Sequence, residues 1–192
     1  GNNWLDAVRL LFEYNANPNV VDKRGVTALY CAAQRGHAAM TRLLVEHGAG
    51  LSVQTVLGHT ALHAAAERGH IECVHILLDA GAEIDLKNKI DRTPAKYALL
   101  FEHSTTLELL LRYGADAHLA AVLPDMAIAS EEEMTAAGAI IGALVHQPSF
   151  VHLLADHGGI CQKEELDCQV SCNGLTDVLR ALRQVGCDAW CS

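Results

Sequence analysis

The sequence predicts an all-α solenoid, in which helix-turn-helix units of one kind stack side by side and are joined by short hairpin loops. Three observations lead there. Thirteen residues starting at Gly25 recur at a fixed offset of 33 residues, and a period of that length is the mark of a repeat architecture. A Leu-Leu pair closed by Gly-Ala recurs in the second part of each period. The chain is 51% hydrophobic but only 5% aromatic. Its apolar volume comes from Ala, Leu and Val, which suit many thin helix contacts better than one thick core.

The first string is Gly25-Val-Thr-Ala-Leu-Tyr-Cys-Ala-Ala-Gln-Arg-Gly-His37, and it returns as Gly58-His-Thr-Ala-Leu-His-Ala-Ala-Ala-Glu-Arg-Gly-His70. A further step of 33 reaches Asp91, Thr93-Pro94, Ala98 and His103. The second string runs from Leu43-Leu44 to Gly48-Ala49, then from Leu77-Leu78 to Gly81-Ala82, then from Leu110-Leu111 to Gly114-Ala115. Thr27, Thr60 and Thr93 are expected to open a first helix, where a hydroxyl accepts an otherwise orphaned backbone N–H. Pro94 fits the first helical position, which needs no N–H. Ala32-Ala33 and Ala64-Ala65 keep that helix thin, so neighbouring units can approach. Gly36 and Gly69 are expected to end it with a left-handed turn. The Leu pairs face the next unit, and Gly48, Gly81 and Gly114 close the second helix. Between that Gly and the next Thr no helical period survives, as in an extended hairpin loop.

These units resemble ankyrin repeats, whose pattern is D-x-x-G-x-T-P-L-H-x-A-A-x-x-G-H, then V-x-x-L-L, then G-A-x-x-N. Residues 22–54 and 55–87 match closely. Residues 88–120 are looser: Asp91 replaces Gly, Lys96 replaces His and Glu102 replaces Gly. Tyr30 stands where the first unit would carry His, so only His63 keeps the full spacing. Residues 4–21 are similar to the second helix and tail of a partial repeat, through Val8, Leu10, Leu11 and Asn17-Pro18-Asn19. The clear resemblance spans residues 4–118. It gives His37, His63, His70 and His103 the task of tying loop to helix. His47 and His157 precede a helix-ending Gly, where partial positive charge suits the dipole.

After His118 the period slips, and 121–159 reads as a degenerate repeat. Ser149 to Gly158 looks like a second helix, but Gly158 lies 44 residues after Gly114, which implies an inserted helix. Ser130-Glu-Glu-Glu133 is a capping box that could open it toward Val145, and Pro124 marks a variant first helix. Residues 160–192 form a last degenerate repeat, in which Gly174 and Gly186 keep the 12-residue spacing of Gly36 and Gly48. The whole is expected to be one array and a monomeric segment of a longer chain.

Composition narrows the function classes. The formal charge of -9 disfavours non-specific nucleic-acid binding, which rests on clustered Lys and Arg. The longest smooth apolar run, Ala136 to Val145, has 10 residues, against roughly 20 for a membrane span. Seven cysteines, two of them (Cys31 and Cys73) within helical patterns, do not form a secreted disulfide framework, and the cytoplasm or nucleus is the expected location. Eleven histidines invite a catalytic or metal reading. No HExxH, GxSxG, GxGxxG or phosphate-cradling loop accompanies them, so no enzyme activity, cofactor or resident metal is expected. Cys161, Cys168, Cys172, Cys187 and Cys191 crowd the C-terminal end. Buried thiols are the plain reading, with a zinc site or a reversible disulfide as alternatives.

In ankyrin-like proteins, partners touch the hairpin tips and the inner face of the first helices. The resemblance maps that surface here to Lys23, Arg24, Val26, Gln34, Arg35 and Gln54, then Val56, Leu57, His59, Glu67, Arg68 and Lys87, then Lys89, Ile90, Arg92, Leu100, Phe101 and Ala120. Seven of the 14 Lys and Arg fall in this set, and Glu67 is its only acid. The expected function is a protein-binding scaffold or adaptor that takes an acidic segment on a concave, locally basic face. The alternatives are a substrate-recruiting arm of a ubiquitin ligase subunit or kinase, and a cysteine-based metal or redox sensor.

Overall fold

A computed structural model describes residues 3–121 and residue 153. The expectations placed beyond residue 121, including the inserted helix and the five C-terminal cysteines, lie outside the described residues. The chain divides into two compact units, Gly1–Ala115 and Asp116–Ser192.

The first unit is built from seven helices: α1 (Asn3–Glu13), α2 (Ala28–Gln34), α3 (Ala38–Glu46), α4 (Ala61–Arg68), α5 (Ile71–Asp79), α6 (Pro94–Leu100) and α7 (Ser104–Arg112). Each first helix starts where a Thr hydroxyl accepts the amide three residues on. Tyr30 N–H donates to Thr27 at 3.1 Å, His63 N–H to Thr60 at 3.4 Å and Lys96 N–H to Thr93 at 3.3 Å. Pro94 takes the first helical position of α6. The first helices α2, α4 and α6 stack in one layer, and α1, α3, α5 and α7 stack in a second layer behind them.

The core lies between these layers. Ala32, Ala65 and Ala98 are almost fully buried at successive 33-residue steps, as are Leu44, Leu77 and Leu110. Each such Leu contributes about 1.5–3 kcal/mol by leaving water. The constant step therefore pairs Leu43-Leu44 with Ile76-Leu77, one residue earlier than matching identical letters suggests. Leu78 and Leu111 instead follow Val45. Leu10 and Leu11 of α1 are 53% and 56% exposed, whereas Leu43 and Leu44 at the same places in the next unit are 7% and 3% exposed. The difference is position: α1 is an edge helix, and no first helix precedes it among the described residues.

Every left-handed residue among those described falls on a 33-residue ladder. Asn15, Gly48, Gly81 and Gly114 close the second helices; Gly25, Gly58 and Asp91 form the hairpin tips; Gly36, Gly69 and Glu102 end the first helices. The last ladder also carries the ties between units. The His70 ring lies on Gly36 and its Nε2 donates to the Gln34 carbonyl at 3.2 Å. The His103 ring lies on Gly69 and its Nε2 donates to the Glu67 carbonyl at 3.0 Å.

In the second unit, Ala117–Ala121 forms α8. The sequence pattern placed Ala120 on an exposed hairpin, but it is fully buried within this helix. Asp116 caps the turn by accepting the Leu119 amide at 3.4 Å, and the Ala-rich segment that follows has high helix propensity.

Gly69 and Gly81 separate two costs. Both have positive φ, at 68° and 86°, but a Cβ on Gly69 would meet His103 Nδ1 at 2.7 Å, whereas one on Gly81 meets nothing within 4 Å. Gly81→Ala should cost about 1 kcal/mol from backbone strain alone. Gly69→Ala should cost at least about 1 kcal/mol more, because the ring and its hydrogen bond are displaced. Chemical denaturation in a His103→Ala background checks this: there the excess should vanish. An excess that persists means that the ring is not its source.

Candidate protein-binding face

The face to which the sequence maps partner binding is assembled from the hairpin tips and the flank of the first helices. Each tip is shaped by one polar side chain on the 33-residue step. Asp22 Oδ1 accepts the amides of Arg24 and Val26 at 2.8 and 2.9 Å. Thr55 accepts that of His59 at 3.1 Å, and Asn88 those of Ile90 and Arg92 at 3.1 and 2.9 Å. The two Val26 and Arg24 amides hold the Asp22 carboxyl below its ordinary range. Neighbouring tips are joined through the backbone: Val56 N–H donates to the Arg24 carbonyl at 2.8 Å, and Lys89 N–H to that of Leu57 at 3.1 Å. Sequence reasoning passed over Asp22, Thr55 and Asn88 as organisers, although their recurrence at 33 residues was there to be found.

Most residues mapped to this surface are accessible. Lys23, Arg24, Arg35, Arg68, Lys87 and Lys89 are exposed. Val56, Leu57, Ile90 and Phe101 are 53%, 64%, 54% and 50% exposed. Val26, Gln34, Glu67 and Leu100 are half-buried, and exposed Gln54 directs its amide to the Lys87 carbonyl at 3.3 Å. Arg24 pairs with Asp22 at 3.4 Å and Arg68 with Glu67 at 3.9 Å. Lys23, Arg35, Lys87 and Lys89 have no ion pair among the described residues.

Two mapped residues turn inward instead. Asn88 spends Oδ1 on backbone amides, so its Nδ2 faces His59 Nε2 at 2.9 Å and the Tyr97 hydroxyl at 3.0 Å. His59 is thereby half-buried against Tyr97 and His63, and burial lowers its pKa. Arg92 is half-buried too, with its guanidinium 5.9 Å from the Tyr97 ring centre. Tyr97 is the cause of both departures. It occupies the position held by Cys31 and Ala64 in earlier units, so no repeat pattern announces it.

His63, whose pKa is strongly shifted, has both ring nitrogens engaged in hydrogen bonds. It is fully buried. The Thr60 amide donates to its Nδ1 at 3.2 Å, which leaves the proton on Nε2, and Nε2 donates to the Arg92 carbonyl at 3.0 Å. Burial lowers its pKa to about 4. Nδ1 is spent on capping its own helix and Nε2 on holding one unit to the next. Cys73 is buried, with its sulfur 3.6 Å from the Thr41 hydroxyl, and its pKa is raised by burial. Cys31 is half-buried, and both thiols are free.

Among the concavities of the first unit, two bear on the site. One of about 790 Å³ lies at the α1 edge, among Trp4, Leu11, Phe12 and Ala32. The other, of about 250 Å³, lies between the first two hairpin tips. It gathers Arg24, Val26, Gln34, Arg35, Val56, Leu57 and His59 from the mapped set, with Tyr30 beside them.

A family model described as ankyrin repeats (3 copies) matches residues 1–88 and again residues 53–121. The chain belongs to the ankyrin-repeat family, whose members are generally protein–protein interaction modules. Comparison with curated proteins finds no match. Among the described residues no helix is long and apolar enough to cross a membrane.

The buried ring makes stability depend on pH. His63 has an ordinary pKa of 6.5 when unfolded and about 4 when folded, so between those values the unfolded chain takes up a proton that the folded chain refuses. Its contribution is complete above pH 6.5, falls as pH drops through that value, and levels off near 4. Acidification from about pH 7 to 5 should therefore cost roughly 2 kcal/mol through this ring. His63→Gln should be less stable at neutral pH and lose less on acidification, measured by denaturant unfolding. An unchanged pH slope would contradict the assignment.

Proposed function

We propose that this chain is a scaffold or adaptor that binds a partner protein, through an acidic segment, on its concave and locally basic face. One observation carries the reading. In a chain of net charge -9, seven of 14 Lys and Arg map to one face by sequence, and six of them are exposed there, with exposed Val56, Leu57 and Ile90. Exposed cations flanking apolar side chains suit an acidic segment with apolar anchors. The charges govern approach and the apolar contacts govern residence. The chain acts by binding rather than catalysis, since its most perturbed described histidine is locked between units. Its free thiols accord with the reducing conditions of cytoplasm or nucleus.

The test is the double change Arg35→Glu and Arg68→Glu. Both side chains are exposed, so helicity and melting should be nearly unaltered. Partners captured by the unmodified chain should lose about 1 kcal/mol or more of affinity for the variant, and raised salt should weaken the unmodified complex. Equal binding by both chains would move the interface away from this face.

A further inference from the structure

The cavity between the first two tips differs from its counterpart one repeat later at four aligned positions: Val26, Tyr30, Thr55 and Ala64 stand where the second interface has His59, His63, Asn88 and Tyr97. At the second interface, His63 closes onto the Arg92 carbonyl, and Tyr97 reaches back to His59 and Asn88. Those contacts fill the space with rings. At the first interface, Ala64 stands in place of Tyr97 and is too small to reach back. Tyr30 stands in place of His63. The carbonyl equivalent to that of Arg92 belongs to His59; each accepts the amide four residues before it, at 2.9 Å from Thr55 and 3.0 Å from Asn88, but no Tyr30 hydrogen bond closes onto that of His59 among the described residues. The Tyr30 hydroxyl has no hydrogen bond among the described residues, and the ring is half-buried at the wall of a 250 Å³ cavity. Arg24 and Arg35 line that cavity with Val26, Val56 and Leu57.

We infer that this cup is the anchor subsite of the concave face, and that it seats an acidic residue next to a branched aliphatic one in an extended segment of a partner protein. The inference rests on the proposal that an acidic partner binds this face. The carboxylate accepts from the Tyr30 hydroxyl and pairs with Arg35, which has no ion pair among the described residues. The aliphatic side chain packs on Val56 and Leu57, which are more than half exposed. A donor hydroxyl beside a guanidinium favours an anion over a neutral amide, and the apolar wall favours a large aliphatic neighbour over alanine.

The test uses the full chain, isotope-labelled for NMR, with the capped peptide Gly-Glu-Leu-Glu-Gly as probe. The controls are Gly-Gln-Leu-Gln-Gly and Gly-Glu-Ala-Glu-Gly. The acidic leucine peptide should shift the amides of Tyr30, Arg35 and Leu57, and both controls should bind about tenfold more weakly, the scale of one hydrogen bond to a charged group or one buried aliphatic side chain. Tyr30→Phe removes only the hydroxyl and should weaken the acidic peptide by about the same factor while leaving the Gln control unchanged. Tyr30→His places the residue of the second unit here and should fold, as His63 does, yet lose the peptide. Shifts confined to Arg68, Lys89 and Arg92 would overturn the cup and leave the wider reading intact. No shift anywhere on the concave face would count against both.

Discussion

Neighbouring units must stack in one register of 33 residues, because none of them can bury its own apolar face. A pair of helices of seven to nine residues, such as α2 and α3, encloses too little volume for a core. Burial therefore comes from neighbours, and stability is a sum of local interfaces. The small residues Ala32, Ala65 and Ala98 set how closely the first helices approach, and Leu44, Leu77 and Leu110 fill the space behind them. The polar ties repeat on the same step. His70 and His103 each reach back to a carbonyl in the preceding first helix, and each tip donates an amide to the tip before it. A slip of one residue would break all of these at once.

Stacking also produces the surface proposed to bind a partner. Tips that bond to one another project their side chains to one side, so charges far apart in sequence become neighbours. The two interfaces then diverge through their interior residues. Tyr97, His59, His63 and Asn88 fill the second with ring contacts and hydrogen bonds, whereas Tyr30 and Ala64 leave the first with an accessible cavity. The family supplies the framework, and the departures from its pattern distinguish one interface from the next.

Much of this was legible in the sequence. Thr27, Thr60 and Thr93 open helices because a cap needs only a local hydroxyl, and Gly36 and Gly69 mark left-handed turns because that conformation is selective. Properties that depend on contacts between units were harder to read. Leu77-Leu78 matches Leu43-Leu44 by letter but not by period, and only burial shows that the period decides. Ala120 was assigned to a hairpin by extrapolating the repeat, yet Asp116 caps a helix there. His59 and Arg92 were mapped outward by motif. They turn inward because of Tyr97, which lies 38 residues from His59 and has no counterpart in earlier units. Tyr30 was visible as a departure, but its meaning required knowing that Ala64 leaves room.

The most direct measurement of the central claim is thermal unfolding of a chain in which residues 55–87 are duplicated in tandem. The copy preserves the ties on the 33-residue step: the first His63 meets the carbonyl of the second His59, the second His63 still meets that of Arg92, and His103 still meets Gly69. If the fold rests on register-locked stacking, an added unit adds an interface, and the longer chain should unfold cooperatively at a higher temperature than the original. Unfolding at a lower temperature, or with loss of cooperativity, would contradict the account.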